Sequence, residues 1–330
     1  MVAASIGACG PQPVRVETDP APAAIPASSD TPDITAAIRS SLRYLEEDGD
    51  RWLEGEVWVQ DGQGCVSCHH VGYALWSHRE AERAGVPFTT DEIDDLQRRA
   101  IDFLAQPGKV RVVSATQMIM AQAHSENDLA LIRSDSKPAG NWRARGQFPS
   151  QKRGEEEGDD VASLWALAAL ATLEPLDGET EKRRARALEW VGGADPGVSS
   201  EWTAARLIVA SQQAEDERVS ALLDEILATQ NENGGWSWLE DDPSNPFSTG
   251  QIVYALGTLG DDRARDALWR GVDYLLANQQ ADGTWETPSN LISTKPSEKK
   301  EYIYRYWGTA WASLGLSRAL GLEGPAPESL

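Results

Sequence analysis

From about residue 33 onward, apolar residues recur at three- and four-residue spacing with almost no alternating runs, a pattern that predicts an all-α protein. Helices are expected near 35–54, 70–84, 90–105, 113–132, 158–173, 178–191, 199–213, 215–229, 248–260, 262–278 and 306–321. They fall into two kinds. The segments starting at Val161, Gln251 and Tyr306 are apolar or small nearly all round, which requires burial on every side. Those starting at Asp216 and Asp262 carry one apolar stripe and one charged face. Fully buried and half-buried helices alternate along the chain, and the simplest arrangement that satisfies this is two concentric rings, small-residue helices inside amphipathic ones.

Internal repetition points the same way. Trp142, Trp190, Trp236 and Trp285 are 48, 46 and 49 residues apart, each near a glycine-containing turn between helices. The fullest copy runs from Arg270 through Gly271, Tyr274, Leu275, Gln279 and Gly283 to Trp285; a second runs from Gln230 through Gly234 to Trp236. A glutamine amide can bond orphan backbone groups at a helix end, glycine permits the reversal, and the indole covers the junction. At these residues the chain resembles the squalene-hopene cyclase and protein prenyltransferase superfamily, loosely over 155–321. The resemblance implies a single α/α toroid with a central cavity. It does not extend to the cyclases' chemistry: their acidic Asp-x-Asp-Asp motif is absent, and Asp91-Glu-Ile-Asp94-Asp95 does not fit it. The zinc ligand set of the prenyltransferases is not found either.

The chemistry-bearing stretch is Gly64-Cys65-Val66-Ser67-Cys68-His69-His70. Cys-x-x-Cys-His is the spacing of covalent haem c attachment: each thiol adds across one haem vinyl group, and the following histidine, His69, ligates the iron. A Cys65–Cys68 disulfide, a redox dithiol or half a zinc site are the alternatives. Gln60 to Gly64 repeats the Gln-x-x-x-Gly spacing of the later turns, so a repeat turn is expected to have become a cofactor loop at the mouth of the toroid. The expected distal ligand comes from the helix at 113–132, with Met118 first, then Met120 and His124. His70 is expected to point away, and His78 lies further along the same helix. Two basic loops precede helices of the inner kind: Arg143, Arg145, Lys152 and Arg153, then Lys295, Lys299, Lys300 and Arg305. They are candidates for holding haem propionates or an anionic substrate.

Composition changes the picture in two ways. A formal net charge of -22 repels phosphate backbones and anionic membranes, so nucleic acid is not an expected partner. The start, Ile6-Gly7-Ala8-Cys9, resembles a lipoprotein processing site with Cys9 as the lipidated residue, followed by a Pro- and Ala-rich tether. The expected organisation is a lipoprotein-like start and linker over 1–33, a toroid over 34–322 with the haem-binding segment at 60–84, and a tail over 323–330. Together these readings describe an exported, extracytoplasmic c-type haem protein, periplasmic and associated with membrane only through a lipid anchor. It would pass electrons to a redox partner protein or oxidise an apolar small molecule. The alternative is a haem-free isoprenoid- or glycan-binding protein or enzyme.

Overall fold

The computed structural model describes residues 31–53, 70–87, 91–104, 112–144, 151–173, 175–292, 295 and 297–322. Among them are twelve α-helices: α1 (Thr31–Leu53), α2 (Val71–Arg83), α3 (Asp91–Leu104), α4 (Val112–Met120), α5 (Glu126–Ser134), α6 (Glu155–Leu170), α7 (Gly178–Gly193), α8 (Ser200–Gln212), α9 (Asp216–Ala228), α10 (Pro246–Leu259), α11 (Arg265–Asn278) and α12 (Glu298–Gly321). The even-numbered helices form a closed inner ring, each packing on the next and α12 returning to α2. The odd-numbered helices α3 to α11 each lie outside the inner helix that precedes them, and α1 lies outside α12 and α2. This is an α/α toroid.

The alternation of helix kinds maps onto the two rings. Every residue of α10 from Pro246 to Gly257 is buried, whereas α9 buries only Leu222, Leu223 and Ile226. Small residues on the inner helices serve close packing. A Cβ on Gly250 would stand 2.4 Å from the Trp311 backbone, and one on Gly315 would stand 2.7 Å from the Gly250 carbonyl, so α10 and α12 meet at backbone distance. No helix among the described residues is long and apolar enough to cross a membrane.

The tryptophan turns act as clamps with one recurring geometry. Trp142, Trp236 and Trp285 each donate their indole N–H to a carbonyl ten residues upstream, on Ile132, Ile226 and Leu275, at 2.9, 2.9 and 2.7 Å. The backbone N–H of each is held by a hydroxyl of the next inner helix, from Ser163, Thr249 and Thr309. Gln230 donates to Gly234 within its own turn and to Ala267 on the next outer helix. Gln279 does the same with Gly283 and Ala37, so the last clamp grips the first helix and closes the ring. Trp190 departs from the series: it sits on α7, is 36% exposed, and donates to Asp160 at 2.8 Å.

Two helices differ from their expected bounds. The stretch 113–132 is not one helix: α4 stops at Met120, Gln122 takes a left-handed φ of 55°, and Ser125 opens α5 with a capping box to Asp128. The Ser-x-x-Asp spacing that marks this start is present in the sequence. Helix α12 begins at Glu298, eight residues before the expected start at 306, because Tyr302, Ile303 and Tyr304 pack as helical residues against the core.

Candidate functional site

Neighbouring inner helices run in the same direction. A Cβ on Gly72 near the start of α2 would meet the Gln117 side chain of α4, and Arg79 near the end of α2 bonds Gln122 just beyond α4. One end of the toroid therefore carries the inner-helix starts. His70, the residue preceding α2, lies at that end, and Cys65, Cys68 and His69 precede it in sequence but lie outside the described residues, as does Cys9.

His70 is fully buried in a polar and aromatic nest built by α1 and α12. Its ring stacks on Trp52 with centroids 3.8 Å apart and lies 4.1 Å from the Tyr306 ring. Its Nε2 is 3.5 Å from the Asp48 carboxylate, whose other oxygen accepts the Tyr302 hydroxyl. Tyr306 donates to the carbonyls of both His70 and Leu45, at 3.1 and 3.2 Å. Burial pushes the Asp48 carboxyl up to about 6, against the lowering effect of the Tyr302 hydrogen bond and of Arg51. The same burial, with the Asp48 charge next, drives Tyr306 well above the ordinary phenol range. His78, two turns along α2, is held instead by Glu46 at 2.6 Å.

The three distal-ligand candidates separate by depth. Met118 is 1% exposed and follows Gln117, so it lies at the level of Gly72, close to the His70 end. Met120 is the last residue of α4, and His124 comes after it in the turn to α5, beside the far end of α2. Arg79, the α2 residue that bonds Gln122 two residues before His124, stands nine residues past His70, which at about 1.5 Å per residue is about 13 Å along the helix from the end where His70 sits. The structure thus brings Met118 toward the His70 end and sets His124 apart from it.

The lumen contradicts the expectation of an open central cavity at one level. Trp76 of α2 meets Trp165 of α6 and Tyr254 of α10, at centroid distances of 5.9 and 5.5 Å, although these helices are not neighbours in the ring. Trp311 of α12 completes the layer, 5.2 Å from Trp76 and 5.0 Å from Trp165. Contacts across a ring mean that side chains fill it there. Beyond them, buried Glu80 receives Arg318 and Arg83, each at 2.7 Å, and accepts the Tyr254 hydroxyl at 3.4 Å. The Tyr254 phenol is pushed up to about 12, first by burial and then by the Glu80 charge.

The basic loops are largely committed to acids. Arg153 and Glu201 form an ion pair at 2.6 Å with side chains 0% and 4% exposed, and the guanidinium lies 5.5 Å from the centre of the Trp238 ring. Lys152 pairs with Asp242 and Arg305 with Glu286, at 2.7 and 2.8 Å. Arg143 and Lys295 are exposed, Lys300 is half-buried, and Arg145 lies outside the described residues. Glu157, on the first turn of α6, accepts from the backbone of Val198 and Ser199 and so caps α8 from a neighbouring helix.

Comparison with known proteins places this architecture among toroids of the terpene cyclase type. A variant of the type II terpene cyclase MstE from Scytonema, in complex with geranylgeranyl dihydroxybenzoate, superposes with a TM-score of 0.57 at 14% identity, over 88% of this chain and 98% of that one. A possible GH105 family member from Salmonella enterica gives 0.54 at 14% identity, over 88% and 94%. Drimenyl diphosphate synthase from Streptomyces showdoensis is 35% identical over 71 residues, which is 22% of this chain and only 13% of that protein. No family model matches the sequence. The fold class is therefore that of the terpenoid cyclase-like α/α toroids, as the tryptophan turns imply.

Asp48, Tyr302 and Tyr306 were not among the expected site residues. The signal for Asp48 is present in the sequence: Ile34, Ile38, Ser41, Leu45, Asp48 and Trp52 fall on one helical stripe, so an acid occupies a position that the fold buries.

Proposed function

We infer that this chain is a c-type haem protein of redox function carried on a terpenoid cyclase-like toroid. The observation that carries the reading is Cys65-x-x-Cys68-His69 directly preceding buried His70 at the inner-helix starts. The donor set fits the group: two thiols and an imidazole in attachment order, followed by a residue whose backbone is fixed by packing. Cys65 and Cys68 would hold the porphyrin and His69 its iron. Met118, at the level of α2's first turn, would be the further residue to hold the iron in preference to Met120, and His124 would take no part, since it lies toward the other end of α2. The bound group would supply one-electron chemistry at a potential set by its axial ligands and surroundings.

The filled aromatic level of the lumen favours an electron carrier over an enzyme that encloses a large apolar substrate. Export with a lipid anchor at Cys9 goes with this reading, since covalent haem and lipidated cysteine belong to the same compartment. The local identity to drimenyl diphosphate synthase favours a second reading, a haem-free isoprenoid binder with a Cys65–Cys68 disulfide. Production in an export system with haem attachment machinery, followed by a visible spectrum in denaturant, separates the two. A haem band that survives denaturation supports the first; colourless protein supports the second.

A further inference from the structure

We propose that the groove between the start of α8 and the end of α9 binds a neutral, polyhydroxylated ring of about the size of a hexose. The groove has a volume of about 470 Å³ and is lined by both helices and by the turn that carries Trp236 and Trp238. Small-molecule sites span about 300–1,000 Å³, so the space suits such a ring. It lies between an inner and an outer helix and contains none of the haem-reading residues, so it stands whether or not that reading holds.

Two polar atoms of the lining residues are buried without a hydrogen-bond partner: the indole N–H of Trp238, a residue only 1% exposed, and the Ser200 hydroxyl. A buried donor left unmade is costly, and a ligand oxygen that reaches it recovers the cost. The charges around the groove select against ions. The Arg153 guanidinium lies 5.5 Å from the centre of the Trp238 ring, which disfavours a second cation there. An anion finds the start of α8 already occupied: Glu157 accepts the N–H groups of Val198 and Ser199, and the Ser200 N–H donates to the Trp238 carbonyl at 2.9 Å. On α9, one oxygen of Glu225 accepts the Thr203 hydroxyl at 3.1 Å, and the other has no partner among the described residues. A hydroxyl group can accept from an indole N–H and donate to a carboxylate. A ring bearing several hydroxyls serves Trp238 and Glu225 together, and its C–H faces suit the apolar lining of Ile226, Ile252 and Trp236.

The test titrates the isotope-labelled full chain with glucose, myo-inositol and tetramethylammonium while following the indole N–H resonances by nuclear magnetic resonance. Trp238→Phe and Trp190→Phe assign their two resonances by loss of a signal. The Trp238 resonance should move with both polyols and stay still with tetramethylammonium, and that of Trp190, whose N–H is held by Asp160, should not move at all. Glu225→Gln alters an exposed side chain and should raise the polyol dissociation constant about tenfold, the worth of one hydrogen bond to a charged group. Asp224→Asn, an exposed acid next in sequence and outside the groove, should leave the constant unchanged. A Trp238 resonance that neither polyol moves, or that tetramethylammonium moves as far, would overturn the proposal. So would equal movement of the Trp190 resonance, or a dissociation constant untouched by Glu225→Gln.

Discussion

The side-chain amide of Gln279 donates to the carbonyl of Ala37 at 2.9 Å, joining residues 242 apart in sequence. Beside it, Gly283 adopts a φ of 85°, and a Cβ there would stand 2.5 Å from the Ser40 carbonyl oxygen. The last turn of the repeat therefore grips the first outer helix, and ring closure depends on a glycine for two separate reasons.

Gly283→Ala should cost about 1–2 kcal/mol for the left-handed backbone and about 1–3 more for the clash with α1. Gly260→Ala is the matched control: its φ is 65°, but a Cβ there meets nothing within 4 Å, so only the backbone cost applies. Urea denaturation of the two variants should rank Gly283→Ala clearly less stable. Equal losses would mean that the contact with Ser40 does not carry the closure.

The Arg153–Glu201 pair is buried, and the Lys152–Asp242 pair beside it is substantially exposed. Removing one member of a buried pair leaves an uncompensated charge, so Glu201→Ala should destabilise by about 3–5 kcal/mol. Asp242→Ala should cost about 1 kcal/mol or less. Chemical denaturation at neutral pH checks both. A small effect at Glu201 would show that water reaches Arg153.

Asp48 gives a pH dependence of definite sign. Its carboxyl is pushed from 3.8 up to about 6 by burial, with Tyr302, Arg51, His70, Tyr44 and Tyr306 as the facing groups. Between these two values the folded chain binds more protons than the unfolded one, so stability falls as pH rises from about 4 to about 6. The contribution, up to about 3 kcal/mol by linkage, is fully present below the unfolded value and lost above the folded one. The stability difference between the parent and Asp48→Asn, followed across this interval, should change by an amount of that order. A flat difference would mean that Asp48 stays ionised throughout.

Much of the fold is legible in the sequence because burial sets residue type so directly in a toroid. Helices such as the one at 251–259 can be apolar all round only inside a ring, and the Gln-x-x-x-Gly spacing before Trp236 and Trp285 encodes the clamp that joins outer helices. What was missed depends on contacts across the ring. Trp190 shares the spacing of the clamp tryptophans, yet its place on α7 rather than after it sends the indole to Asp160. The break between α4 and α5 depends on a left-handed Gln122, which periodicity does not register, and it carries His124 off the helix that Met118 and Met120 occupy. The nest around His70 joins residues near positions 48, 70 and 302 that no local pattern links. Likewise the filling of the lumen by Trp76, Trp165, Tyr254 and Trp311 follows from four rings meeting at one level, a fact about register between helices rather than about any one of them.

The haem reading turns on the two thiols that precede His70 in the sequence. Trypsin should release them in one peptide, Trp52 to Arg79, since no lysine or arginine lies between. Mass spectrometry of that peptide from protein matured in a haem-attaching host should give the peptide mass plus one haem, with both cysteines blocked to alkylation. A peptide carrying two alkylated thiols, or one Cys65–Cys68 disulfide and no added mass, would contradict it.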